Sequence, residues 1–186
     1  MNQRALLFIF FLAIAFTSCE KDDEDDNNNN NNEVNTEQLD AQSGDPDIPD
    51  TANMAEVVAT GAREANATAD ATMSLGSTVS TFDLVHDNPA ASGSQISVVR
   101  IGVAWDGDAP LAPGTYDVDN SGDNPYMNVS FRIYQGDNQR WNADTSVGRL
   151  VVTESTETSM KGTLVSVGTW LEGGNYRAAW AFNIEM

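Results

Sequence analysis

The chain contains little of what most site chemistry requires. Among its 186 residues there is one cysteine, Cys19, and one histidine, His86. A single cysteine forms no disulfide within the chain and no thiolate cluster, and one histidine leaves zinc and copper without their usual ligand sets. Lysine and arginine are also scarce, with 9 against 28 acidic residues and a net charge of −19. Because such a chain repels phosphate backbones, we exclude nucleic acids as partners.

The sequence also lacks a recognisable catalytic arrangement. His86 stands beside Asp87 at the expected end of a strand, and no G-x-S-x-G motif supplies a nucleophile. The region 51–186 contains 16 acidic residues, so pairs of carboxylates are easy to find and do not indicate a glycosidase. We therefore expect a protein that is not an enzyme and needs no cofactor. A small hydrolase is the catalytic alternative.

The N-terminus has the order of a secretory signal. Arg4 precedes an apolar run of 12 residues, ALLFIFFLAIAF, which is too short to span about 30 Å of hydrocarbon but has the length of a signal-peptide core. Residues 16–19, Phe-Thr-Ser-Cys, resemble a bacterial lipobox, in which small residues precede a cysteine that is lipidated after cleavage. We expect residues 1–18 to be a lipoprotein signal peptide and Cys19 to be the lipid anchor. An ordinary cleaved signal peptide is the alternative.

An acidic, asparagine-rich segment follows Cys19. Residues 20–50 contain 12 acidic side chains and 1 basic one, and residues 27–32 are all asparagine. With so few apolar side chains we expect residues 19–50 to be the lipidated cysteine followed by a disordered linker, a stalk of about 30 Å. Its beginning, Lys21, Asp22, Asp23 and Glu24, resembles the export signal of surface lipoproteins in Bacteroidetes-type bacteria. The resemblance implies the outer face of the outer membrane, with the periplasmic face as the alternative.

Residues 51–186 alternate apolar and polar side chains with period two. In the clearest segment Met127, Val129, Phe131 and Ile133 alternate with polar residues and tyrosines. Seven or eight such segments are separated by short turns rich in Gly, Asn, Asp and Pro, and connections this brief exclude parallel pairing. We predict one all-β domain over 51–186, either an antiparallel β-sandwich or a small barrel.

Two local features of this domain are less regular. A phase change at Val98 and Val99 predicts a β-bulge. In residues 51–66 the apolar side chains have helical spacing, but Gly61 disfavours a helix, so a short helix and a first strand both remain open.

The second half of the domain has a characteristic order of turns and strands. Gly114-Thr115-Tyr116 is followed by GRLVVTE at 148–154, by Lys161-Gly162-Thr163-Leu164 and by a closing aromatic strand. This order, over about residues 98–186, resembles small β-rich lipoprotein domains of unknown function from Bacteroidetes-type bacteria. The resemblance implies a β fold and brings no catalytic residues.

One polar stretch is a candidate binding site. Trp141 lies in QGDNQRWNADTS, expected to be a loop, beside Arg140, Asn142 and Asp144. A loop tryptophan with amide and charged neighbours suits stacking on a sugar or on a partner's apolar patch. The alternative is that Trp141 folds back as a lid on the core. Trp105 and Trp180 occupy apolar phases of strands, and we predict that both are core.

A second stretch resembles part of a calcium loop. Asp117, Asp119, Ser121 and Asp123 place oxygen side chains at positions one, three, five and seven, with glycine at six. Position twelve is Asn128 instead of glutamate, and the same residue types favour an ordinary β-turn. Calcium is thus the one metal that the sequence raises, beside the turn alternative.

These observations together predict a membrane-anchored, surface-exposed bacterial lipoprotein. Its expected role is non-catalytic binding or interaction with the envelope. The expected partners are the membrane, through Cys19, and a glycan or an envelope protein. The alternative is a purely structural or accessory lipoprotein that docks to a membrane complex.

Overall fold

The structure is a computed structural model that describes residues 36–62, 64–88, 96–120, 125–135, 139–171 and 173–186. They belong to one compact unit, Asn32–Met186. Residues 36–37, 65, 96–99, 128–135 and 139–146 are described through their backbone only. The predictions for the signal peptide, for Cys19 and for Lys21, Asp22, Asp23 and Glu24 lie outside the described residues.

Within the described ranges the chain forms β-strands and one 3₁₀ turn, Thr36–Leu39. The nine strands are β1 Met54–Gly61, β2 Ala65–Ser74, β3 Val79–Asp87, β4 Ile96–Asp106, β5 Gly114–Asp119, β6 Tyr126–Gln135, β7 Gln139–Ser155, β8 Ser159–Trp170 and β9 Asn175–Glu185. The all-β prediction is confirmed, and the segment that could have been helix or strand is β1. Among the described residues no helix is long and apolar enough to cross a membrane.

The strands close into a barrel, which decides between the two predicted architectures. Their order around the wall is β1-β2-β3-β4-β6-β5-β7-β8-β9, and β9 pairs with β1. β5 pairs with residues 147–152 of β7 while β6 pairs with residues 139–142, so β5 and β6 share one position in the wall. The nine strands therefore fill eight positions of alternating direction, close to the seven or eight predicted. The only parallel contact recorded between described strands joins Asp119 and Tyr126, where β5 gives way to β6.

The barrel interior is filled by the inward-facing side chains of the strands. The rings of Phe82 and Phe182 stack with centroids 5.0 Å apart, and Trp105 lies 6.3 Å from Phe82. Small side chains face these large ones: Ala55, Ala59, Ala69, Ala71 and Ala178 all belong to the same buried cluster. Trp105 and Trp180 are buried in it, so their assignment to the core is confirmed. A small barrel of this kind needs no separate layer to complete its core.

The predicted irregularity in β4 is present, one pair earlier than expected. The register between β4 and β6 shifts between Ile96 and Val98, whereas the phase change in the sequence is at Val98 and Val99. A bulge at this position keeps Ile101 and Val103 on the interior face, where both are fully buried.

Residues 36–50, here called the strap, differ from the prediction of a disordered linker extending to residue 50. They lie against the outer face of β8 and β9, where Leu39 packs on Val165, Val167 and Ala179. The C-terminal end of β9 also bonds the strap, since the side-chain amide of Asn183 donates to the carbonyl of Pro49 at 3.0 Å. As a consequence β9 is buried on both faces along its length.

Candidate functional site

The outer face of β9 presents a buried arginine to the strap. The side chain of Arg177 is only 5 % exposed, although it projects away from the barrel interior. Its Nε donates to the carbonyl of Gln38 at 2.8 Å, and Nη2 donates to the carbonyl of Asp40 at 3.0 Å. Both of its Nη groups also bond the carboxylate of Asp45, with Nη2 at 2.7 Å from Oδ2. A buried guanidinium requires this many acceptors, since an unpaired buried charge is very costly.

Asp45 closes the turn that the arginine holds. The backbone NH of Gln42 donates to Asp45 Oδ2 at 2.8 Å, and the NH of Asp45 donates to the carbonyl of Gln42 at 3.2 Å. Gly44 has a φ of 98°, a conformation that side-chain-bearing residues rarely adopt. Burial alone would raise the pKa of Asp45, but the hydrogen bonds from Arg177 and Gln42 and the charge of Arg177 outweigh it, so the pKa lies below its ordinary value of 3.8. Asp45 is therefore held as a carboxylate.

A second arginine, Arg149, joins the strap to the outer face of β5 and β7. Arg149 of β7 bonds Asp40 of the strap at 2.7 Å and Asp117 of β5 at 3.1 Å. The hydrogen bond to Asp117 is the largest of the causes that raise the pKa of Arg149 above its ordinary value. Desolvation lowers this pKa, but the charges of Asp117 and Asp40 add to the increase. Both acids are well exposed, at 77 % and 78 %, so these two pairs contribute less stability than the Arg177 pair.

A groove of about 630 Å³ lies between the strap and the outer face of β5, β7, β8 and β9. Its residues are Leu39, Asp40, Ala41, Gln42, Asp45, Pro46 and Asp47 of the strap, together with Thr115, Asp117, Arg149, Val151, Thr163, Val165, Ala179 and Trp180 of the barrel. The volume falls within the range of small-molecule sites, roughly 300–1,000 Å³. The lining combines the apolar side chains of Val151, Val165 and Ala179 with carboxylates and hydroxyls, which suits a ligand with both apolar and polar surfaces.

Among the residues whose side chains the structure describes, Asp117 is the one member of the two predicted sites that lines this groove. Asp117 lies in β5, and its carboxylate bonds Arg149, so calcium binding at this stretch stays a prediction. Asp119 occupies the same strand, whereas Ser121 and Asp123 lie outside the described residues. Within the described part of the chain, no three His, Cys, Asp or Glu side chains are grouped as metal ligands.

The stretch around Trp141 is strand and not loop, so that prediction is wrong for the backbone. Arg140, Trp141, Asn142 and Asp144 all belong to β7. Arg140, Trp141 and Asn142 are paired with Tyr134, Ile133 and Arg132 of β6. Backbone pairing with a neighbouring strand overrides the polar composition here. Binding by these four side chains stays a prediction.

Trp170, Tyr176 and His86 make contacts within the barrel. Trp170 and Tyr176, which flank a glycine-rich turn, are 2 % and 1 % exposed, and their ring centroids are 5.1 Å apart. His86 lies in β3 with Nδ1 at 2.7 Å from the carbonyl oxygen of Thr68. Trp170 and Tyr176 are thus buried within the barrel and not displayed at its surface.

Sequence reasoning missed Arg149, Arg177 and the whole strap. One signal was present in the outward phase of β9, where Ala179 and Ala181 occupy positions that usually carry polar side chains on a solvated face. A small apolar residue at two successive outward positions indicates that something covers the strand. Leu39 and Ile48, isolated among acids, were the matching signal in the strap.

Comparisons with protein-family models, with curated proteins and with solved structures find no match to this chain.

Proposed function

We propose that this protein is a lipid-anchored lipoprotein of the outer face of the outer membrane that binds a ligand or an envelope partner without catalysing a reaction. The anchor is assigned to Cys19 from the order of Arg4, the apolar run and the small residues before the cysteine. The surface location is assigned from the acidic residues that follow it.

The observation that carries the binding role is the groove between the strap and the barrel. It is concave, about 630 Å³ in volume, and combines apolar side chains of the barrel with polar side chains from β5, β7, β8 and the strap. The Arg177 and Arg149 ion pairs join its two sides, the strap and the barrel wall. A site that is formed in advance loses less conformational entropy on binding.

Replacement of Cys19 tests the anchor. The Cys19→Ser chain should carry no lipid, because serine does not replace the lipidated cysteine. It should therefore move from the membrane fraction to a soluble fraction, since stable attachment needs two or more acyl chains. Incorporation of labelled fatty acid into the unmodified chain, and its loss in the variant, is the measurement. Equal membrane association of both chains would contradict anchoring through Cys19.

An array of defined oligosaccharides, followed by crosslinking to isolated envelopes, tests the binding role. Thr115 is exposed and lines the groove, so Thr115→Trp should fill the groove and abolish the binding found. Thr153→Trp is the matched control, since Thr153 is exposed on β7 and does not line the groove. Binding that survives Thr115→Trp but disappears in Trp141→Ala would move the site to the β6–β7 hairpin and overturn the groove. Absence of any bound glycan or crosslinked protein would contradict the binding role.

A further inference from the structure

The interior of the barrel and its outer face under the strap form separate apolar clusters. The barrel cluster consists of residues of the strands, with partly buried neighbours that include Leu111 and Tyr116. Leu39 of the strap belongs to a second, small cluster with Val165, Val167 and Ala179 on the outer face. Departure of the strap would therefore leave the interior of the barrel intact. Segments with few buried apolar contacts open at lower free energy than the core that they cover.

The chain between the strap and β1 is fixed to the barrel independently of the strap. Asn53 has a left-handed φ of 59°, and its carbonyl accepts a hydrogen bond from the NH of Ala71 at 3.0 Å. Its side-chain Oδ1 accepts from the NH of Glu185 at 2.8 Å. Because these bonds involve β2 and the end of β9, residue 53 can remain in place while residues 36–50 move. Residues 51 and 52 thus connect the strap to a point that is fixed on the barrel.

The docked strap depends on few barrel side chains. Arg177, Arg149 and Asn183 make the side-chain hydrogen bonds recorded between the barrel and the strap, while Leu39 supplies the apolar contact. The middle of the strap, from Asp40 to Gly44, is exposed to solvent. Loss of the Asp45 carboxylate would leave Arg177 buried and without its charged partner, which favours release.

We propose that the strap is a latch that docks on β8 and β9 and is released from them as a unit. In the docked state it covers an apolar strip, Val165, Val167 and Ala179, and neutralises Arg177. In the released state the strip and Arg177 form a docking face. This face fits an acidic segment that contains a leucine, as the strap itself does. Release also lengthens the chain between Cys19 and the barrel from residues 20–35 to residues 20–50. This last consequence alone rests on the proposed anchoring function.

A distance measurement tests the latch in the soluble chain from Glu20 onward, which contains the whole compact unit and no cysteine. Spin labels are attached at Ser43→Cys in the strap and Thr72→Cys on β2, both exposed positions. We expect one short distance and a minor population of longer ones. Asp45→Asn should enlarge the longer population several-fold, and so should Leu39→Ala, which removes the apolar contact. Asp47→Asn is the matched control, because it removes the same charge from an exposed strap residue that lies outside the Arg177 contacts.

A labelled peptide of residues 36–50 tests the released face. Apparent affinity for such a face scales with the fraction of chains whose own strap has left it. The peptide should therefore bind the Asp45→Asn and Leu39→Ala chains several-fold more tightly than the unmodified chain, and should lose binding when Arg177→Gln is added. Circular dichroism of each variant confirms that the barrel is folded.

Two results would overturn the latch. One is a distance distribution that is the same in Asp45→Asn, Leu39→Ala and Asp47→Asn. The other is a peptide whose affinity is unchanged across these chains or independent of Arg177. Neither assay contains lipid, so failure of the latch leaves the Cys19 anchor standing, and failure of the anchor leaves the latch standing.

Discussion

Arg177 shows how a single side chain can order a segment that its composition predicts to be disordered. Four acceptors from the strap surround its guanidinium: two carbonyl oxygens and the two oxygens of Asp45. A lysine has one ammonium group and cannot reproduce the planar fork that bonds a carboxylate with two parallel hydrogen bonds. The geometry, more than the charge, is what residue 177 contributes.

Arg177→Lys is therefore expected to destabilise the docked protein by about 1–3 kcal/mol, although the charge is conserved. Urea unfolding of the two chains measures the difference. Arg149→Lys serves as the control, since Arg149 pairs with two well-exposed carboxylates and should lose much less. Equal losses in the two variants would contradict the importance of the buried fork.

Gly162 is a second residue whose identity the packing requires. A Cβ at this position would overlap the backbone carbonyl of Val151 and would lie 3.0 Å from the ring of Phe182. Neither the neighbouring strand nor a ring that stacks on Phe82 can move freely. Gly162→Ala should therefore cost about 1–3 kcal/mol, the usual range for overpacking.

Gly114→Ala is the matched control for that measurement, because a Cβ there would meet only the Tyr116 side chain at 3.6 Å, an ordinary contact. Both variants are compared by chemical denaturation at the same pH. A Gly162→Ala barrel as stable as the Gly114→Ala barrel would show that the wall is less tightly packed at residue 162 than the structure indicates.

At the scale of the element, the strap is expected to respond to acid. The pKa of Asp45 in the folded protein lies below its ordinary value of 3.8. A carboxylate with a lowered pKa stabilises the folded state above its unfolded pKa, and this contribution is lost as the pH falls through the folded value. Arg177 faces Asp45, while Arg149 faces Asp40 and Asp117.

The spin-label distance should therefore lengthen as the pH falls below about 3.8, because Asp45 loses its charge while Arg177 keeps it. In Asp45→Asn the distance should show a smaller change over the same interval. Asp47→Asn should follow the unmodified chain. A transition of equal size in all three chains would assign the acid response to other carboxylates.

The same element shows where prediction from sequence succeeds and where it ends. Period-two alternation was sufficient to predict the strands, since apolar side chains recur at alternate positions along the strands, and the buried cluster inside the barrel is built from them. The strap could not be predicted in that way. Its order depends on Arg177, about 130 positions further along the chain, and on one leucine in a segment with almost no other apolar side chains.

The polar stretch of Trp141 failed as a loop prediction for a related reason. Residues 140–142 gain their strand conformation from backbone pairing with β6, which composition does not reveal. The groove could not be predicted from the sequence either, because its lining residues come from four strands and from the strap, which is far from them in the chain. Of its lining residues, Asp117 alone had been assigned to a predicted site, and that site was for calcium.

At the scale of the whole molecule, the proposed anchoring through Cys19 implies that the docked strap shortens the stalk. The composition of residues 20–50 predicts a span of about 30 Å, but only residues 20–35 precede the strap. As a flexible coil, 16 residues span about 22 Å. The barrel is then expected to lie closer to the membrane than the full linker would allow. Release of the strap would restore the longer span.

Protease treatment of intact cells tests the central claim, a barrel held on the cell surface by a short acidic tether. A glutamate-specific protease should release a fragment that begins at Asp25 or Val34, after Glu24 or Glu33, while a periplasmic lipoprotein in the same cells stays protected. Mass spectrometry of the released fragment identifies its first residue. Complete protection of the protein until the outer membrane is permeabilised would contradict the surface location, and with it the proposed function.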